Sequence, residues 1–500
     1  MSTTDTARVE RPAVPARCML KTIDSFYIGG QWVAPAAGAG RHDIVDPATE
    51  QVIGHVAMGG AEDVDRAARA ARAAFAEWSQ TTRAQRLAVL ERLADLYEAR
   101  LPEMADAITR EMGAPAWLSR QYQAPMGLVQ IRQAMAALRE VAFETERGGT
   151  RVLREPIGVA ALITAWHWPA ALVWGKVSAA LAAGCAVVLK PSEMAALDAQ
   201  LTAEILHDAG LPAGVFNMVF GEGPVVDAAL ARHPEVDMVS ITASRRAGAQ
   251  VAAAAAPTFK RVVQALGGTS ASLVLDGADL KAAVAATVRE GMLNSGQTCM
   301  APTRLLVPRA HYPAALTVAA NTARALAAGD PRHGDTWLGP LASRAQFDRV
   351  QACIARGIEE GARVVHGGLG RPAGLEQGFH ARPTVFGGVR SDMRIAREEI
   401  FGPVVVVIAC ADEEDAIAIA NDCDNDCGNE CDHGLAACVW SADAEHARRV
   451  GRRLRAGMVR INGAAMDFAM PFGGYEAPGN GREHGAHGLA EYLQTRSLMG

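Results

Sequence analysis

A rhythm between residues 158 and 266 constrains this chain more than any other feature. Short apolar runs at 159–164 (VAALIT), 185–190 (CAVVLK), 214–220 (GVFNMVF), 236–242 (VDMVSIT) and 261–266 (RVVQAL) alternate with helical stretches. One of those stretches ends at Gly184; the others fall near 195–209, near 224–232 and after 242. Runs of this length are too short for helices and uniformly apolar enough to be buried on both faces. Joined by helices, they predict right-handed crossovers and a doubly wound parallel sheet, with ligand loops at the carboxyl ends of the strands.

A second alternating region runs from Ser272 to about Ile461, with strand candidates at 272–275, 304–307, 363–366, 404–408 and 459–462. Ahead of both, 27–33 (YIGGQWV) reads as a hairpin with a Gly-Gly turn. Residues 61–110 read as helical, with Asp63, Asp65, Glu91 and Glu98 expected on solvated faces. The segment 492–498 is a plausible pairing strand, and residues 1–20 read as a loose tail.

At 500 residues, half of them hydrophobic, the chain has material for two or three domains and a large core. The 49 basic and 55 acidic side chains give a net charge of −6, which argues against a nucleic-acid partner. The N-terminal stretch carries charges and prolines where a signal peptide needs an apolar run. No stretch approaches the ~18 apolar residues of a membrane span. Nine cysteines, an odd number in so long a chain, point to reduced thiols and a cytoplasmic setting. Residues 422–433 (DCDNDCGNECDH) are polar and turn-prone and read as a surface loop. Cys423, Cys427, Cys431 and His433 could hold zinc by residue type, but the usual C-x2-C spacing is missing, and no metal is assigned.

Cys299 stands in NSGQTCMAPTR (294–304), between the two alternating regions. On composition alone a lone cysteine is ordinarily a small core residue. Its surroundings favour a nucleophile held on a loop. Asn294, Gly296, Gln297, Cys299, Ala301 and Arg304 match N-x-G-Q-x-C-x-A-x-x-R. Lys190, Pro191, Ser192 and Glu193 match K-P-[SA]-E, and Glu399, Phe401, Gly402 and Pro403 match E-E-I-F-G-P. The chain also carries PFGG at 471–474 and G-x-G-R-E ending at Glu483. With these motifs the chain resembles the aldehyde dehydrogenase superfamily from about Tyr27 to its end.

The resemblance implies an α/β fold: a dinucleotide-binding domain (21–140 and 159–265), a catalytic domain (266–474) and a small β arm for oligomerisation (141–158 and 484–500). It implies that Cys299 attacks a carbonyl carbon, giving a thiohemiacetal and then a thioacyl enzyme. Lys190 and Glu193 would bond the adenosine ribose. A glutamate there favours NAD over NADP, while Ser192 leaves NADP open. Glu399 would hold the nicotinamide ribose and Phe401 would lie near the ring. Thr164, Ala165, Trp166, Gly223, Asp227, Ser244, Leu266 and Gly267 complete the implied cofactor site. Trp168, Leu293, Thr298, Met300 and Met466 would line a mainly apolar substrate pocket, suited to an uncharged aldehyde or acyl group. Because the family pairs the segment near 141–158 with a neighbour's C-terminal strand, a homodimer or homotetramer is expected.

The chain departs from the family at chemically important positions. The general-base glutamate, two residues before a Gly-Gly pair and 34 before the cysteine, is here Ala265. The asparagine that helps to form the oxyanion hole is His167, which could donate to an oxyanion and accept a proton, or could be a packed histidine in a decayed site. A glycine of the dinucleotide loop is Ala243, followed by Arg245 and Arg246, and a further glycine is Asp227. Lys176 and Glu483 match a lysine and a glutamate that neighbour the missing base, and could relay a proton. The loop at 422–433 is longer than the family's.

Three readings follow. One is an oxidoreductase with slow hydrolysis. A second passes its acyl group to, or receives it from, coenzyme A or a carrier thiol. The third is an inactive relative, natural or engineered, with a binding role.

Overall fold

The computed structural model describes residues 20–422 and 434–500. The cysteine-rich segment 423–433, with the four metal candidates, lies outside the described residues. Two seven-stranded sheets dominate. In the first, the strands run Arg261–Leu266, Met238–Ala243, Val159–Ile163, Ala186–Lys190, Phe216–Met218, Phe26–Ile28 and Gln31–Val33 across the sheet. The five from the 158–266 region are parallel, and the 26–33 hairpin closes one edge in antiparallel pairing. Val159–Ile163 and Ala186–Lys190 are buried at every position, as their apolar runs require, with Lys190 alone charged at the end of the second. Between them the helix Pro169–Ala183 ends at Gly184, whose φ of 95° is left-handed. A Cβ there would meet the Arg86 guanidinium at 2.8 Å, so glycine both reverses the chain and lets that buried arginine reach the carbonyls of Ala182 and Ala183.

The second sheet has the order Arg363–His366, Thr384–Gly387, Val404–Cys410, Arg304–Pro308, Ala271–Val274, Ala436–Trp440 and Met458–Ile461. Its alternation is visible in Val404–Cys410: Val404, Val406 and Ile408 join one apolar cluster, while Val405 and Val407 join another on the opposite face. Both faces are covered, so a run of four valines is stable here where an exposed strand would be an aggregation hazard. Two of these strands, Thr384–Gly387 and Ala436–Trp440, are absent from the sequence expectation.

The stretch 61–110 is three helices, Ala61–Trp78, Arg83–Ala99 and Leu101–Met112. One residue expected at the surface is not there. Asp63 is 1% exposed. It sits at N3 of its helix and accepts from the Gly60 and Ala36 amides, so local capping overrides the general preference of carboxylates for water.

A three-stranded sheet joins Glu144–Arg147, Thr150–Pro156 and Leu493–Met499. Within the chain, Thr150–Pro156 pairs with the chain's own C-terminal strand, a pairing the sequence reading did not anticipate. The Ile157 amide donates to the Tyr492 carbonyl, which sets the register at the root of this arm. Among the described residues no helix is long and apolar enough to cross a membrane.

Candidate active site

The parallel register aligns the carboxyl ends of the first sheet. Ile163 lies opposite Lys190 and Ile241, and Thr242 and Ala243 lie opposite Ala265 and Leu266. The strands therefore deliver Ile163, Lys190, Thr242 and Ala265 to one rim, as a doubly wound sheet does at its ligand crevice. A cavity of about 360 Å³ opens there. It is lined by Thr164, Ala165, Trp166, Lys190, Ser192, Glu193, Gly223, Asp227, Ser244, Leu266, Gly267, Glu399 and Phe401, together with His167, Ala265 and Cys299. Residues from both alternating regions thus meet in one space.

Two helices begin at this cavity, Gly223–Arg232 and Arg245–Ala255. Ser244 caps the second by accepting from the Ala247 amide. Helix N-termini present backbone N–H groups and a partial positive charge, which suits a pyrophosphate. Across the cavity, a Cβ on Gly267 would lie 2.2 Å from the Glu399 carboxylate, which accepts from the Gly268 amide at 3.2 Å. Only glycine lets backbone and carboxylate come that close. Lys190 Nζ stands 3.6 Å from Glu193 and 3.8 Å from Asp227. Cradle, paired charges and ribose-type carboxylates together fit a dinucleotide.

The loop that leads into Cys299 is held in an unusual conformation. Asn294, Ser295 and Gly296 are consecutive left-handed residues, with φ of 57°, 56° and 74°. Gly296 is forced by contact as well, because a Cβ there would lie 1.9 Å from the Gly402 carbonyl oxygen. The two non-glycine residues are held by side-chain bonds. Asn294 donates to the carbonyls of His167 (2.8 Å) and Gln297 (3.0 Å) and accepts from Gln123, while Ser295 donates to the Gly339 carbonyl. Gln297 donates to the Asn294 carbonyl and accepts from the Ala342 amide. This network holds the left-handed residues in place and with them Cys299 at the cavity edge.

Cys299 is half-buried and lines the cavity. Burial, then the carboxylates of Glu399 and Glu483, push its thiol up to about 12. His167 is 5% exposed. Burial drives its ring down to about 4, so it is neutral at physiological pH, and its Nδ1 has no hydrogen-bond partner. Its ring packs edge-on to Phe401, with centroids 5.1 Å apart. Phe401, itself left-handed at φ 56°, also packs against Trp166. Gln346 and Arg349 brace that turn through the Phe401 and Glu399 carbonyls; the sequence reading missed both, and their only signal is proximity in space.

Ala265 is buried at the rim, 5% exposed. Lys176 and Glu483 form a buried ion pair, and Lys176 also donates to Ser240 Oγ at 3.0 Å. Neither borders the cavity, but Glu483 is close enough to raise the Cys299 thiol. Among the residues expected to line a substrate pocket, Trp168 Nε1 donates to Thr298 Oγ1 at 3.0 Å, directly before Cys299. Leu293 packs against the first core cluster and Met300 is half-buried. Met466 borders a different cavity, of about 490 Å³, alongside Met458, Met470 and Phe472.

Comparison with known proteins agrees with this geometry. The model of the aldehyde dehydrogenase family matches residues 32–498. A 3-succinoylsemialdehyde-pyridine dehydrogenase from a Pseudomonas species is 51% identical over 477 residues, covering 95% of this chain and 98% of that protein. Among solved structures, a cysteine-to-alanine variant of aldehyde dehydrogenase C from Pseudomonas syringae, complexed with NAD+ and octanal, superposes with a TM-score of 0.93 at 50% identity, covering 97% of this chain and 99% of that one. An NAD+ complex of a Mycobacterium tuberculosis aldehyde dehydrogenase gives a TM-score of 0.91 at 38% identity, covering 96% and 99%.

Proposed function

The chain belongs to the aldehyde dehydrogenase family, and from that premise we propose that it oxidises an uncharged aldehyde with NAD through a thioacyl intermediate on Cys299, with the release of that intermediate slowed or diverted from water. One observation carries the second half: the residue at the cavity rim where a general base is expected is a methyl group, Ala265.

NAD, when bound, takes the hydride from the substrate carbon. Cys299 Sγ gives its proton to solvent water and bonds the carbonyl carbon, moving the carbonyl electron pair onto oxygen. We assign the stabilisation of that oxyanion to the Cys299 backbone N–H and to a ring N–H of His167. A neutral imidazole suits this role, since it keeps a proton to donate. The same low basicity makes it a poor acceptor for a thiol proton. Departure of the hydride leaves a thioester on Cys299. Attack by water is slow without a general base: Ala265 offers none, the Lys176–Glu483 pair does not border the cavity, and Glu399, which does, accepts from the Gly268 amide and is assigned to the nicotinamide ribose. A thiol acceptor such as coenzyme A brings its own ionisable group and does not need that base. This is the specific ground for acyl transfer as the alternative to slow hydrolysis. The chain's own β arm leaves strand edges at Leu493–Met499 and Glu144–Arg147 that suit association of copies, and the reduced cysteines fit a cytoplasmic enzyme.

The test is NADH absorbance with a panel of aliphatic aldehydes, with and without coenzyme A, alongside mass spectrometry of the Cys299 peptide. The expected result is one equivalent of NADH with a Cys299 adduct, followed by slow turnover in water or fast turnover with the thiol. NAD binding with neither NADH nor adduct would sink the reading. His167→Ala is expected to lower the first-turnover rate by ~10²–10³-fold, the usual cost of one oxyanion donor. An unchanged rate would show that His167 only packs.

A further inference from the structure

Asp227 is the fifth residue of the helix Gly223–Arg232, whose first turn faces the cavity. The resemblance counts the position within the cofactor site but expects a glycine there, so it gives the carboxylate itself no task. Asp227 is 8% exposed, and its Oδ1 lies at ion-pair distance from the Lys190 ammonium, beyond a full hydrogen bond. Its Oδ2 turns back toward Gly223, where an added Cβ would lie 2.9 Å away. The cation facing it is Lys190 at 3.8 Å, and that same ammonium serves Glu193 at 3.6 Å. Two carboxylates thus share one lysine in one corner. Burial and the neighbouring Glu193 raise the Asp227 carboxyl above its ordinary range, with Lys190 opposing.

A buried carboxylate whose ion pair is long and shared with a second carboxylate is only partly compensated in the free protein. A ligand hydroxyl would satisfy it. Asp227 also borders the adjoining groove between the helices Gly223–Arg232 and Arg245–Ala255, so it stands where the adenosine half of a dinucleotide would pass from one space to the other. The basic groups of that groove, Arg232 and Arg246, are exposed, and water and salt screen them. The two carboxylates face inward, where screening is weaker.

We propose that Asp227 is a second carboxylate of cofactor selection, accepting a ribose hydroxyl of NAD and, together with Glu193, excluding the 2′-phosphate of NADP. This rests on the reading of the cavity as a dinucleotide site. It adds a residue on a separate helix to the Lys190–Glu193 pair, and it predicts stricter NAD preference than Glu193 alone would give.

The experiment is calorimetric titration of the full-length protein, its Asp227→Asn form and its Glu193→Gln form with NAD+ and with NADP+, with thermal melting to confirm folding. Asparagine keeps an acceptor for the hydroxyl and removes the charge. The expected result is a rise of about tenfold or more in the ratio of NADP+ to NAD+ affinity for Asp227→Asn. A further rise is expected when Glu193→Gln is combined with it. An unchanged ratio, including a parallel gain for both dinucleotides, overturns the role of Asp227 while leaving the dinucleotide site standing. Binding of neither dinucleotide by the parent chain overturns the site itself and this role with it.

Discussion

Restoring a carboxylate at the cavity rim, Ala265→Glu, is expected to raise steady-state aldehyde oxidation by ~10²–10⁴-fold, the ordinary worth of general-base help. Ala265 is the penultimate residue of the strand Arg261–Leu266, opposite Thr242 in register, and borders the same space as Cys299. Because Ala265 lines the cavity, a longer side chain there has that space to extend into. Burial would push its carboxyl upward, toward the range where a base works at neutral pH. The Lys176–Glu483 ion pair is already in place behind it. The measurement is NADH formation over time. The parent chain should give a burst of about one equivalent and then a slow phase; A265E should lose the burst and turn over continuously, without needing coenzyme A. The same slow phase in A265E, with NAD still bound, would mean that hydrolysis is not limited by the missing base.

The parallel core was legible because strands buried on both faces leave an unbroken apolar signature, as in 159–164 and 185–190. The rim residues were legible for a related reason: in such a sheet each ligand loop follows a strand directly, so sequence position fixes spatial position. What failed to show depended on partners far along the chain. Asp63 looks solvated until the Ala36 and Gly60 amides are brought to it. Thr384–Gly387 is four residues long, with one apolar pair, and is a strand only because Val404–Cys410 and Arg363–His366 flank it. Met466 shares a motif neighbourhood with the site but borders another cavity, since the turns after Met458–Ile461 set its direction. Gln123 closes a π-helical turn and bonds Asn294, 171 residues away, with nothing in its own segment to announce it. Asp227 could be recognised as out of place, but only its distance to Lys190 says which way it points.

Alkylation of Cys299 in the dinucleotide-free protein is expected to accelerate about tenfold for each pH unit, roughly 10³-fold between pH 7 and pH 10, with no plateau in that range. The thiolate is the reactive form, and the thiol ordinarily near 9.0 is held at about 12 by burial and by Glu399 and Glu483. Below 12 the ionised fraction climbs with the full slope, whereas an unperturbed thiol would level off near 9. The sign carries over to stability. The folded state binds this proton more tightly than the unfolded chain, so the stabilisation is complete below the ordinary value and is lost as pH rises through the folded one. Cys185, Cys353, Cys410 and Cys438 are buried, and peptide-resolved mass spectrometry separates Cys299 from them and from the cysteines outside the described residues. Glu399→Gln removes the larger of the two raising carboxylates and should bring the whole profile to lower pH without changing its slope. A plateau at pH 8–9 in the parent would mean that the sulfur is already poised as a nucleophile. The loss at position 265 would then touch deacylation alone, and the slow step assigned to water would have to account for the entire deficit.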